Sequence, residues 1–147
     1  MKKLASISMR VMWVVFAMLP LAAKADTGVL QESFKASLNK MVVKVKTGED
    51  PAAKREIMEN YLTRMDRGLE AAKVMVSEKD MPSLDALRAK IEADRAELDG
   101  IRGHEKVANA DLNRFADYVQ QDVEQASYIY ISTCGLLVLL IILLILL

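Results

Sequence analysis

The chain has 147 residues, 20 of them Lys or Arg and 20 Asp or Glu, with one Cys. A lone Cys excludes an internal disulfide framework. All 20 acidic residues lie between Asp26 and Glu124, whereas Lys2, Lys3, Arg10 and Lys24 precede residue 26. Residues 26–147 therefore carry 16 basic against 20 acidic side chains, net −4, which gives no electrostatic case for nucleic acid or anionic lipid surfaces.

Met1-Lys2-Lys3 with Arg10 forms a positive n-region, and Val11 to Ala23 is an apolar run interrupted only by Pro20. Ala23-Lys24-Ala25 has the small-x-small pattern of a signal-peptidase site, so residues 1–25 are predicted to be a cleaved signal peptide. The run is short for a spanning helix, and no Cys near the site points to lipid attachment. Cleavage would remove Trp13, the only Trp.

Residues 26–125 are predicted to form one extracytoplasmic helical domain, about 100 residues and enough for one modest core. Leu30, Phe34, Leu38, Met41 and Val45 recur at helical spacing. Met41-Val-Val-Lys-Val-Lys46 alternates like a strand, but no second β-branched run exists to pair with it, so helix is expected throughout. Thr47-Gly48 ends this helix, the Gly being suited to a left-handed turn. Asp50-Pro51 then signals a new start, a capping carboxylate followed by Pro in the first turn.

The segment Pro51 to Ser77 is the best helix in the chain. Met58, Leu62, Met65, Leu69, Ala72 and Val76 form a seam of alternating fours and threes, the a/d pattern of a coiled coil. Arg55, Glu59, Asp66, Arg67 and Glu70 are expected on the opposite, solvated face. Lys79-Asp-Met-Pro-Ser83 breaks the pattern. A third helix follows from Pro82 or Ser83 with Leu84, Leu87, Ile91, Leu98 and Ile101 as its apolar stripe. Asp94 falls where another apolar residue would fit. It is expected to rotate to solvent beside Lys90, the alternative being a buried acid that sets helix register.

Gly100-Ile-Arg-Gly103 ends the third helix, and a fourth is predicted from about His104 or Asp111. Its stripe is Ala108, Leu112, Phe115, Val119, Val123 and Ala126. It runs without a break into residues 126–147, which carry no charge. At about 1.5 Å per residue this stretch crosses a hydrocarbon core of roughly 30 Å, so it is predicted to be a transmembrane helix. The flank before it is poor in Lys and Arg, as an external flank should be, and Tyr128 and Tyr130 fall where interfacial aromatics sit. The predicted fold is thus all-α: a three- or four-helix up-down bundle with coiled-coil-like seams, its last helix continuing into the membrane.

Few residues suggest chemistry. His104 is the only His, beside Glu105, and lacks the second His of a zinc-protease motif. Glu92, Asp94, Glu97 and Asp99 are interleaved with Arg88, Lys90 and Arg95, which reads as a solvated face with local ion pairs. No Gly-rich phosphate loop occurs, and no nucleophile with a basic partner stands out. The expectation is a protein without catalytic, cofactor-binding or metal-binding residues and with no small-molecule substrate. Met75 and Met81, near the turn before the third helix, are the candidate contact surface because Met makes adaptable interfaces. Cys134, within the span, is a candidate cross-link between two copies.

The function expected from these features is a non-enzymatic, membrane-anchored interaction or scaffold module. It would be single-pass, with a bacterial inner membrane as the setting and the helical domain in the periplasm, pairing with copies of itself or with a helical partner protein. One alternative is a pore or lysis-type protein whose span oligomerises. The other is a glycolipid-anchored surface protein whose apolar tail is removed, with Ala126-Ser127 as attachment site.

Overall fold

The computed structural model describes residues 27–130. The predicted signal peptide and most of the predicted span, with Cys134, lie outside the described residues. Four helices follow in chain order: α1 (Thr27–Thr47), α2 (Pro51–Ala72), α3 (Met81–Asp99) and α4 (Leu112–Tyr130). No strand occurs among the described residues. Of the two helix counts the sequence allowed for the bundle, the described residues have four.

Each helix boundary has a local cause. Thr47 Oγ1 donates to the Val43 carbonyl at 2.8 Å and so satisfies one of the carbonyls left open at the end of α1. Gly48, contrary to expectation, is not left-handed; positive φ among the described residues is confined to Gly100, Arg102 and Gly103. Asp50 caps α2 as predicted, its carboxylate accepting from the amides of Ala52 and Ala53 at 3.2 and 3.1 Å, with Pro51 just inside the helix. Helix α2 stops at Ala72, short of the predicted Ser77. The chain tightens into a 3₁₀ turn over Lys73–Met75 and then turns extended at Val76.

Gly100, at φ 69°, closes α3. The Gly100 amide donates to the Glu97 carbonyl and the Ile101 amide to the Ala96 carbonyl, the paired bonds of a Schellman ending. The chain then folds back, so that the Val107 amide also reaches the Glu97 carbonyl. This return places Lys106 against Gly100, where a Cβ would lie 2.5 Å from the Lys106 Cβ. Only glycine fits both the space and the dihedral. Helix α4 begins late, at Leu112, after a 3₁₀ turn over Asn109–Asp111.

The helices pack in sequence order around a shared core, α1 against α2 and α4, and α3 against α2 and α4. Polar contacts show the neighbours to be antiparallel. Lys46 near the end of α1 pairs with Asp117 early in α4 at 2.7 Å, and Lys54 early in α2 reaches Asn113. Late in α2, Asp66 meets Arg88 of early α3. The α1–α2 and α3–α4 connections therefore share one end of the bundle. The α2–α3 connection, the start of α1 and the close of α4 share the other.

The core matches most of the predicted stripes. Phe34, Leu38, Met41, Met58, Leu62, Met65, Leu69, Ala72, Ile91, Leu98, Leu112, Val119 and Val123 are buried. Three predicted members are not in it as expected. Ile101 is half exposed because the Schellman ending turns it away, Ala108 is exposed in the connection, and Val76 is only partly buried beyond the end of α2. Asp94 reverses the expectation for it: only 3% of its surface is exposed.

Candidate functional site

The α2–α3 end of the bundle carries the predicted contact residues. Met81 opens α3 and Met75 closes the 3₁₀ turn after α2, so the fold brings the two to one end. The Met81 side chain is partly buried and packs against the core; that of Met75 lies outside the described residues. Among the described side chains of this connection Val74 is the most exposed apolar one, at 89%, and it is not one of the residues the sequence singles out. The apolar seam of the sequence runs on through Val76 and leaves Val74 off it; the helix stops at Ala72, so the 3₁₀ turn decides where Val74 points. Ser77 Oγ and Asp80 Oδ2 lie 2.7 Å apart, and the amides of Asp80 and Met81 both bond the Ser77 carbonyl, closing the turn.

Helix α4 finishes at this same end. Tyr128 and Tyr130 belong to its last described turns, their side chains lying outside the described residues. Among the described residues no helix is long and apolar enough to cross a membrane. Of the predicted span, residues 131–147 lie beyond them.

Along the barrel of the bundle, charged side chains tie helices together instead of forming a solvated face. Arg88 donates to Asp66 at 2.9 Å and also meets Glu70; Arg95 donates to Glu59 at 2.6 Å; Lys90 meets Asp122 of α4. The interleaved charges of α3 were expected to pair locally. They mostly reach across to α2 and α4 instead, because α3 sits between those helices. Arg55 and Glu59, expected on an open face, are half-buried. The Arg55 guanidinium donates to the Leu98 carbonyl at 2.6 Å, to the Val107 carbonyl and to Asn109 Oδ1, clamping α2 to the α3–α4 connection. Each such pair is partly screened by water and contributes modestly, so the set fixes helix register more than it adds stability.

Asp94 is the one buried charged residue among those described, and its Oδ2 has no hydrogen-bond partner among them. Burial raises its pKa from 3.8 to about 7; Asp122 and Glu97 push in the same direction and Lys90 opposes. Its carboxyl lies on the buried seam of α3, near the carboxylates of Asp122 and Glu97 and the ammonium of Lys90. The acidic cluster of α3 does not converge on a common point: Glu92 bonds Arg102 at 3.1 Å while Asp94 turns inward. No set of three or more His, Cys, Asp or Glu able to hold a metal occurs among the described residues. His104 is exposed, its amide bonded to the Ile101 carbonyl.

Two clefts stand out among the described residues. One, of about 520 Å³, lies beneath the α3–α4 connection, with the Phe115 and Tyr118 rings 5.9 Å apart in its wall. Its charges come from both signs, Glu97, Glu105 and Asp111 against Lys106 and Arg114, and leave a net charge of −1. The other lies between α1 and α2. Neither presents a nucleophile with a base beside it. Comparison of the chain with family models, with curated proteins and with solved structures finds no match in any of the three.

Proposed function

We propose that this protein is a non-enzymatic, membrane-anchored helical module that acts by protein–protein contact on the extracytoplasmic side. The observation that carries this reading is the direction of α4. The last described helix of the bundle reaches Tyr130, next in sequence to the uncharged stretch 131–147, at the α2–α3 end, while the α1–α2 and α3–α4 connections lie at the opposite end. The absence of a catalytic constellation among the described residues is consistent with a contact role and decides nothing about chemistry elsewhere. The Val74–Met81 connection shares the end of the bundle reached by Tyr130, and in this reading Met81 and Val74 meet a neighbour held in the same membrane. Copies tethered to one membrane have a raised effective concentration, which favours weak self-association, with Cys134 as the candidate cross-link between two copies.

Processing and fractionation test the reading together. Protein extracted from native membranes should begin at Asp26, show no tryptophan fluorescence, retain residues 131–147 by intact mass and resist carbonate extraction. Its Cys134 should form a dimer under mild oxidant. A chain recovered wholly in the soluble fraction refutes the anchor, and loss of the apolar tail with an added glycolipid supports the glycolipid alternative. The pore reading competes on a separate measurement. Dye release from vesicles containing the purified chain would favour a pore or lysis factor, whereas intact vesicles favour the tethered module.

A further inference from the structure

The net charge of residues 26–147 conceals an uneven distribution. Helix α1 carries Lys35, Lys40, Lys44 and Lys46 against Glu32 alone, net +3, while α3 and α4 are each net −2. Most cations facing α3 and α4 meet a carboxylate: Arg88 with Asp66, Lys90 with Asp122, Arg95 with Glu59, Arg114 with Asp111. The outer side of α1 and α2 differs. Lys40, Lys44 and Arg64 are exposed, form no ion pair among the described residues, and line one open cleft of about 250 Å³ between the two helices. Lys40 and Lys44 stand four apart on α1, a like-charge spacing that costs an isolated helix stability.

The remaining polar lining also donates. Tyr61 O–H donates to Ser37 Oγ at 3.3 Å, leaving the Ser37 proton for another acceptor, and Asn60 adds an amide. No carboxylate lines the cleft. Burial raises the Tyr61 pKa to about 12, so its hydroxyl keeps its proton at every physiological pH. Three cations without an ion pair among the described residues and two neutral groups with a proton to spare, Ser37 and Asn60, surround one concavity and match an acceptor-rich ligand with more than one negative charge. A single carboxylate would leave two of the cations unanswered.

We infer that the α1–α2 cleft is an oxyanion site for a phosphoryl group, held by Lys40, Lys44 and Arg64 with Ser37 as a neutral donor. Arg64 supplies the planar fork that binds two phosphate oxygens, and the lysines act as point charges. The group arrives either on a free phosphorylated solute or on the headgroup of an anionic lipid reached when the bundle leans onto the bilayer.

The test uses the full chain in a neutral detergent, with backbone hydrogen exchange as the readout. Inorganic phosphate should slow exchange across residues 37–44 and 57–64, whereas chloride at equal ionic strength should not. Vesicles of phosphatidylcholine with and without phosphatidylglycerol form the second arm. Protection by inorganic phosphate assigns the site to a free solute; protection only by phosphatidylglycerol vesicles assigns it to lipid. The double variant Lys44→Gln with Arg64→Gln should bind at least tenfold more weakly in whichever arm responds. Because both positions are exposed and outside ion pairs, that variant should be no less stable than the parent in the absence of ligand. Protection in neither arm, equal protection by chloride, or protection unchanged in the double variant would overturn the inference.

Discussion

Replacing Asp94 by Asn should change how the stability of the bundle depends on pH. The Asp94 pKa stands at 3.8 in an unfolded chain and about 7 in the fold. An acid whose pKa rises on folding binds its proton more tightly in the native state. Its stabilising contribution is therefore full below about pH 4, declines as pH rises toward 7, and is gone above that. A shift of about three units corresponds to roughly 4 kcal/mol in total, of which about 2–3 kcal/mol falls between pH 5 and pH 8. Asn has nearly the same shape and cannot ionise. At any single pH the comparison is ambiguous, since a buried amide short of partners itself costs about 1–3 kcal/mol. The slope is diagnostic, because every other titrating group is common to the two proteins. Urea unfolding of parent and Asp94→Asn at half-unit steps from pH 5 to pH 8 should show the variant gaining about 2–3 kcal/mol relative to the parent across that range. A difference that stays flat with pH would show that Asp94 is ionised at little cost, and that its place in the core is wrongly understood.

Two further substitutions test packing and the α3 ending. Leu62 is fully buried mid-seam on α2, and Leu62→Ala should cost about 2–5 kcal/mol, lowering the thermal midpoint by about 10 °C or more. Arg67→Ala, exposed on the same helix, should scarcely move it; equal small effects from both would undo the bundle core. Gly100→Ala should destabilise more than Gly103→Ala in the same melting experiment. Both glycines have positive φ, but only at Gly100 does a Cβ meet the backbone of Lys106, while nothing lies within 4 Å at Gly103. Equal losses would mean that the return of the chain onto Gly100 contributes nothing.

The residue pattern alone determined where the helices are. Apolar spacing of threes and fours depends only on the helix period, so Met58 to Ala72 reads as a buried stripe before any neighbour is known. Asp50-Pro51 likewise caps α2 through bonds to amides two and three residues away. Both signals are local, and both appear as predicted. The candidate contact residues were legible only in part: spacing placed Met75 and Met81 near a turn, but Val74 drew no notice because it lies off the apolar seam of the sequence.

What required the tertiary structure is everything set by which helix lies beside which. Asp94 was expected outside on the strength of its charge, and it lies on the buried seam of α3. Glu59 and Arg55 were placed on a solvated face because the apolar stripe lies elsewhere on α2. That face is instead covered by α3 and its connection, and both side chains find partners 36 to 54 residues away in sequence. The α1–α2 cleft belongs to the same class: Lys40 and Lys44 are ordinary exposed lysines until packing sets Arg64 and Tyr61 against them. A helix period states how far apart side chains stand along one element. It does not state how that element is rotated against its neighbours, and that rotation decides which charges are paired and which are left to bind something else.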